Sequence, residues 1–396
     1  MIGEGWTDKG ESRDRESRAD PEHPRRIAVV TGTRAEFGLL TPVMEAVRER
    51  ADCELLVIAA GAHLIQPALT FREVRARFEV ADSIPMQTVG RVGRAHDVEA
   101  LGKGISRFGR SFGALRPEWV LVLGDRIEAF AAASAACVGG WALAHIHGGD
   151  RAEGVADESM RHAITKLAHL HFPASAASAA RIERMGEDPG RIHTTGSPAL
   201  DGLGAIDPMD DGAFRELGAP ELVLLLHPCG RADGVEEREA RALLEAVGER
   251  RALALHPNHD PGRDGIMRAL MDAPANIRVV RHMPRDRFVA LLKRVGVGRG
   301  VLVGNSSAGL IECGAVGCAS VDIGDRQRGR ERCASWSVHA APSVGAISDA
   351  IERARGLEPG SRTSPFGDGR AGVRIARVLA ETDPVASGLV RKLNAY

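Results

Sequence analysis

From Arg26 onward, short runs of Val, Leu, Ile and Ala alternate with longer stretches whose apolar residues recur at helical spacing. The runs cover 26–32, 54–60, 119–124, 142–147 and 169–173 in the first half, and 221–227, 252–257, 277–281, 300–304 and 319–323 in the second. They are continuous rather than alternating, as expected of strands covered on both faces of a parallel sheet. Helical patterns lie between them, at 38–50, 127–138, 157–171, 236–249 and 284–293 among others. Strand–helix repetition on this scale predicts an α/β chain built as two doubly wound, Rossmann-like domains. Periodicity fades in the Gly-, Asp- and Pro-rich stretch from Gly202 to Pro220, so the domains are expected at 26–204 and 205–396. A final helical pattern, Val373 to Leu379, fits either of them. Residues 1–25 are rich in Glu, Asp, Arg, Gly and Ser and read as a disordered leader, not as a signal peptide.

Composition narrows the function. A chain of 396 residues is too long for one ordinary core, which agrees with two domains. The net charge of −1 gives no global attraction to nucleic acid or to an anionic membrane, so neither is expected as a partner. Aromatic residues make up 4%, too few for a single-strand stacking platform. No run approaches the length of a membrane helix. The six cysteines form no CxxC pair and no Cys/His cluster with zinc spacing. No metal is therefore expected, and scattered thiols suit a reducing cytoplasm.

Candidate chemistry sits where the strands end. His145-Ile-His147-Gly-Gly-Asp150, followed by Asp157-Glu158-Ser-Met-Arg161-His162, packs acids, bases and glycines behind the apolar run at 142–144. Glycine lets a backbone approach a ligand closely, and open α/β sheets place ligands at strand ends. On a helix from Asp157, the residues Glu158, Arg161 and Thr165 share a face; a plain surface Glu158–Arg161 pair is the competing reading. Thr31-Gly-Thr-Arg34-Ala-Glu-Phe-Gly38 is a glycine turn into a helix, whose free N–H groups and Arg34 suit an anion. It lacks the GxGxxG spacing of a dinucleotide site, so no cofactor is expected. Asp125 and Arg126 follow the strand at 119–124, where an acid is a helix cap or a reacting group. His227 ends the first strand of the second half, and Asn258 follows the next. Gly304-Asn305-Ser306-Ser307-Ala-Gly-Leu-Ile-Glu312 is a strand, a small polar turn and a helix start. Its serines suit a diphosphate and Glu312 a ribose diol, with a serine-capped helix as the alternative. Arg326 lies in a basic loop, Gly324-Asp-Arg-Gln-Arg-Gly-Arg330.

The motifs TGTRAEFGLL, GDRIEA, HIHGGD, DESMRHAITKLAHLHF, MGEDPGRI…TGSPALD, HPNHD, GNSSAGLIE and GDRQRGR occur in one order over residues 26–379. In them the chain resembles the UDP-N-acetylglucosamine 2-epimerases, specifically the hydrolysing branch of sialic-acid and nonulosonate synthesis. The resemblance implies a glycosyltransferase-B-like fold with the active site between domains, no nicotinamide, and a homodimer or homotetramer. It implies that Arg34, His227, Ser306, Ser307 and Glu312, with Gly38, Arg126, Asn258 and Arg326, hold the nucleotide. Asp125, His147, Asp157, Glu158 and Arg161 would then face the sugar. Two departures stand out: Asp150 replaces a common glutamate, and His147 stands where non-hydrolysing and animal-type relatives carry glutamate.

The implied reaction explains these residue types. The C2 hydrogen of a nucleotide sugar has no neighbouring carbonyl to acidify it. Departure of the diphosphate builds positive charge at C1 and makes loss of the C2 proton feasible. Such a site needs cations for the leaving group and an acid/base group near C2. Asp125 or the Asp157/Glu158 pair is expected as the C2 base, with His147 as the opposing acid.

Overall fold

The computed structural model describes residues 24–66, 69–91, 93–151, 157–258, 260–359, 364–386 and 388–395. The expected leader falls on residues 1–23, outside the described residues, apart from Pro24 and Arg25. Arg25, counted with that leader, is instead the first residue of a strand.

The first half is built on β1 (Arg25–Thr31), β2 (Cys53–Ala60), β3 (Val80–Ile84), β4 (Trp119–Leu123), β5 (Ala142–Ile146) and β6 (Leu170–Phe172). Its helices are α1 (Arg34–Arg48), α2 (Phe71–Arg77), α3 (Arg94–Leu115), α4 (Ile127–Gly139), α5 (Asp157–Leu167) and α6 (Ala176–Arg184). After α7 (Asp211–Glu216), the second half runs β7 (Leu222–Leu225), α8 (Asp233–Val247), β8 (Ala252–Leu255), α9 (Arg263–Met271), β9 (Ile277–Val280) and α10 (Arg285–Val297). It continues with β10 (Val301–Gly304), α11 (Glu312–Ala315), β11 (Ala319–Ile323), β12 (Ser337–Ala340), α12 (Val344–Arg355) and α13 (Ala371–Glu381).

Both sheets are parallel and six-stranded, ordered β3-β2-β1-β4-β5-β6 and β9-β8-β7-β10-β11-β12. The two halves therefore repeat one topology, the doubly wound arrangement flanked by helices of a glycosyltransferase-B-like fold. Each expected strand is present. The two additional ones, β3 and β12, are edge strands. β3 buries Ile84 but exposes alternate residues, so it lacks the apolar run that marks a central strand.

Each sheet buries both faces. Ile27 and Val29 of β1 face Leu40, Val43 and Met44 of α1, while Ala28 and Val30 lie in a second cluster with Phe108 and Phe112 of α3. Helix α3 was not singled out by the pattern because Gly102, Gly104, Gly109 and Gly113 dilute its periodicity. Helix α5 is shorter than the expected 157–171: His169 Nδ1 accepts the Leu143 amide at 3.0 Å, and β6 begins one residue later.

Helix α13 returns to the first half. Ile375, Ala376 and Leu379 join the cluster of Leu40 and Val47, and the Asp201 carboxylate accepts the amides of Ala371 (3.0 Å) and Gly372 (2.6 Å). A Cβ at Gly372 would stand 2.7 Å from the Pro42 carbonyl oxygen in α1. Gly372→Ala is therefore expected to lower the unfolding free energy by about 1–2 kcal/mol, since overpacking outweighs the helical preference for alanine. Urea denaturation reads this directly; an unchanged or raised midpoint contradicts the tight docking.

Candidate active site

The strand order reverses between β1 and β4 and again between β7 and β10, so a crevice opens at the carboxyl ends of these strands. The loops after β4 and β5 meet those after β8 and β11 across it. Arg126 Nη1 is 3.1 Å from Asp260 Oδ1. Arg330 Nη2 is 3.3 Å from Asp150 Oδ2, and Arg181 Nη2 donates to the Gly329 carbonyl at 2.7 Å.

Arg161 organises the first-half wall. It projects inward from α5, is 4% exposed, pairs with Asp125 through Nη2, and donates from Nη1 to the His147 carbonyl at 3.2 Å. One guanidinium thus ties together the ends of β4, β5 and α5. Burial, followed by the charges of Arg330 and Arg326, pushes Arg161 well below the ordinary arginine range. Asp125 offsets the charge of Arg161, and Asp150 that of Arg330.

The ring of His147 is held from both sides. Its Nε2 lies 3.0 Å from Ser197 Oγ and its Nδ1 3.5 Å from Asp150 Oδ2. Burial lowers its proton affinity; Asp150 opposes that shift and Arg330 adds to it. The backbone of His147 adopts φ +62°, a left-handed conformation that costs a side-chain-bearing residue about 1–2 kcal/mol. Its amide donates to the Phe172 carbonyl at 3.1 Å. Gly149, at φ +73°, permits the turn that follows, since a Cβ there would stand 2.3 Å from the Ser178 carbonyl oxygen. Ser178 Oγ in turn donates to Asp150 Oδ1 at 2.7 Å.

The neighbouring histidines separate. His145 is fully buried, with Nε2 2.8 Å from the Gly124 carbonyl, and desolvation drives its pKa to about 3. It is a neutral structural ring. Glu158 does not pair with Arg161, contrary to the surface-pair reading. Its Oε1 lies 3.4 Å from Arg151 Nε and 3.6 Å from His162 Nε2, because Arg161 is drawn inward by Asp125. Asp157 opens α5, but its side chain lies outside the described residues.

On the second-half wall, His227 is half-buried after β7. Asn305 brackets its backbone, accepting its amide at 2.7 Å and donating to its carbonyl at 2.8 Å. Its Nδ1 accepts the Asn258 amide at 3.2 Å, so Nε2 carries the proton. Burial and then the Arg326 charge push this ring down to about 3. Arg326 Nη1 donates to the Asn305 carbonyl at 3.3 Å. Glu312 begins α11, and desolvation raises its carboxyl against the pull of Arg285 and Arg330. Ser306 caps a single 3-10 turn, Ser307–Gly309, its Oγ accepting the Ala308 amide at 3.4 Å.

Two expected anion features are more occupied than the sequence implied. At the start of α1, Glu36 Oε2 accepts the amides of Gly32 (3.0 Å) and Thr33 (3.1 Å). Those N–H groups are therefore used by the chain itself, and burial with the nearby Glu128 charge lifts Glu36 to about 8. Arg34 lies 3.0 Å from Glu73 through its Nε. Gly38 faces Arg285 of α10, whose Cδ would lie 3.2 Å from a Cβ at that position. Among the described residues no group of three or more His, Cys, Asp and Glu is placed to hold a metal. No helix among them is long and apolar enough to cross a membrane.

Ser197, Arg330, Asn305, Asp260 and Arg285 join the site without having been singled out individually. The first four lie in the TGSPALD, GDRQRGR, GNSSAGLIE and HPNHD motifs. Their partners are far away in sequence, so spacing carried no signal for the contact.

A family model described as UDP-N-acetylglucosamine 2-epimerase matches residues 45–380. The UDP-N,N'-diacetylbacillosamine 2-epimerase (hydrolyzing) of Legionella pneumophila is 31% identical over 94% of this chain and 100% of its own length. The UDP-N-acetylglucosamine 2-epimerase of Neisseria meningitidis is 30% identical over 90% of this chain and 95% of its own. The crystal structure of UDP-GlcNAc 2-epimerase from Neisseria meningitidis bound to UDP-GlcNAc shares the fold, with a TM-score of 0.75 at 17% identity. It covers 90% of this chain and 100% of that one.

Replacing Arg161 leaves the Asp125 carboxylate without its guanidinium. Arg161→Met is expected to cost about 3–5 kcal/mol of unfolding free energy, and adding Asp125→Asn should recover a large part of it. If both single and double variants unfold like the parent, the Arg161 anchor is wrong.

Proposed function

The chain belongs to the UDP-N-acetylglucosamine 2-epimerase family, and from that premise we propose that it is a hydrolysing 2-epimerase. It converts UDP-N-acetylglucosamine and water to N-acetylmannosamine and UDP. The observation that carries this reading is the meeting of guanidiniums from both halves beside His147: Arg161, paired with Asp125 and donating to the His147 carbonyl, and Arg330, 3.3 Å from Asp150. Guanidiniums in a crevice stabilise a diphosphate most as it departs and gains charge.

In the proposed sequence the C2–H bond breaks and its electron pair forms the C1–C2 double bond. The C1–O bond breaks with it, and the diphosphate leaves on the arginines. Water then adds at C1 while a proton returns to C2 from the opposite face. Arg34, His227, Ser306, Ser307 and Glu312, with Gly38, Arg126, Asn258 and Arg326, form the nucleotide side. Asp125 is a poor base while Arg161 holds it, because an adjacent cation favours the ionised carboxylate. Its part is to orient Arg161 and the sugar. The proton at C2 is handled by His147 and by the Asp157/Glu158 pair. No cofactor or metal takes part.

A second substrate is favoured by one finding, the Legionella relative matched over its whole length, which is named for a diacetylated bacillosamine. UDP- or GDP-2,4-diacetamido-2,4,6-trideoxyglucose is that alternative. The unpaired state of all six cysteines supports a cytoplasmic enzyme, which cell fractionation tests. The family supports a homodimer or homotetramer, and a monomer in sedimentation would overturn this.

The decisive assay is proton NMR in D2O with each nucleotide sugar. Free 2-epimer with deuterium at C2 and released diphosphate are expected; protium retained at C2 would sink the elimination. Release only on adding an acceptor would mark a glycosyltransferase instead, and epimer still attached to its nucleotide a non-hydrolysing enzyme. Glu158→Gln, at an acid/base group, should cut kcat by roughly 10²–10⁴-fold, and Asp125→Asn should lower turnover far more than nucleotide binding. Ser307→Ala should weaken UDP binding first, and an unchanged affinity contradicts its place in the nucleotide site.

A further inference from the structure

The surroundings of His147 specify more than its location. Ser197 Oγ accepts the Ala199 amide at 3.2 Å, because Ser197 caps the turn Pro198–Leu200. Its hydroxyl also lies 3.0 Å from His147 Nε2, and with two lone pairs and one hydrogen it can donate to that nitrogen or accept from it. The other edge of the ring decides: Asp150 Oδ2 stands 3.5 Å from Nδ1, and the carboxylate favours the proton on that nitrogen. With the proton on Nδ1, Nε2 is bare and the Ser197 hydroxyl donates to it.

Asp150 is itself fixed. It is 1% exposed, with Ser178 on Oδ1 and the Arg330 guanidinium 3.3 Å from Oδ2. Arg161 holds the His147 carbonyl and Phe172 its amide, so the ring has little freedom to turn over. The charged and titratable groups facing it are Asp150, Arg330 and Arg161, with His145 beyond.

We propose that Asp150 and Ser197 are positioning residues that lock His147 as the neutral Nδ1–H tautomer, presenting Nε2 as a proton acceptor. Resting on the epimerase reading, this assigns His147 to the first half of the reaction. As the sugar enters, its C2 hydrogen takes the place of the Ser197 hydroxyl at Nε2; that proton moves to Nε2 as the diphosphate leaves, and Asp150 stabilises the imidazolium that results. The expectation that His147 is the opposing acid is thereby reversed, and the Asp157/Glu158 pair supplies the returning proton. The logic is that of a serine–histidine–aspartate array, in which exchanging the acid for its amide costs about 10⁴ in kcat through the wrong tautomer.

The test is ¹⁵N–¹H correlation of protein labelled at histidine nitrogens, with the His147 signals assigned through His147→Gln. Near neutral pH the wild-type ring is expected to show a protonated Nδ1 and a bare Nε2. Protonated Nε2, or an imidazolium, overturns the proposal. In Asp150→Asn the tautomer is expected to switch, with kcat falling at least about 100-fold and KM moving less than about threefold. A retained tautomer with kcat within about threefold of wild type also overturns it. Should Asp150→Asn fail to fold, Ser197→Ala leaves the Asp150–Arg330 pair in place. It should yield a mixed tautomer and about tenfold slower turnover, and an unaltered ring spectrum would again be contrary. The ring is read without substrate. A wild-type protein with the expected tautomer but no turnover of any nucleotide sugar would refute the enzymatic reading while leaving the lock itself standing.

Discussion

The structure turns on one buried guanidinium. Arg161 holds the Asp125 carboxylate, carries the His147 carbonyl, and feels the charges of Arg326 and Arg330 from the opposite half. A buried cation in such company is stable only with its partners in place. It therefore sets the relative positions of the β4 and β5 ends and of α5. In the proposed reaction the guanidiniums beside it receive the leaving diphosphate, and Asp125 holds Arg161 in place for that task.

The repeated topology explains why so few contacts suffice. Each sheet has its switch point beside its first strand, so β1 and β4 on one side, and β7 and β10 on the other, present their carboxyl ends to a shared crevice. Arg126–Asp260, Asp150–Arg330 and Arg181–Gly329 then bridge the halves at the same level. The second-half loop that carries Arg326 and Arg330 reaches both walls. Through Arg326 it grips the Asn305 carbonyl, and through Arg330 it sits on the acid beside His147. The two walls are in this way mechanically linked.

The central strands were legible because burial on both faces demands unbroken apolar runs, which survive without knowledge of tertiary neighbours. The edge strands β3 and β12 were not, since a strand with one covered side needs no such run. Side-chain direction was the weaker inference. Helical spacing placed Glu158 and Arg161 on one face, but the pull of Asp125, separated from Arg161 by 36 positions in the sequence, turned the arginine inward. Likewise the glycine turn before α1 looked open to an anion, whereas Glu36 closes its own amides. Asp150 and Ser197 belonged to recognised motifs, yet only the fold brings them to opposite edges of one imidazole.

If the crevice receives a leaving diphosphate, it also binds one from solution. Isothermal titration of the protein with UDP and with uridine, at two salt concentrations, measures that directly. UDP should bind at least about 100-fold more tightly than uridine, a difference of roughly 3 kcal/mol, with the advantage shrinking as salt rises. Equal affinities for the two, insensitive to salt, would contradict it.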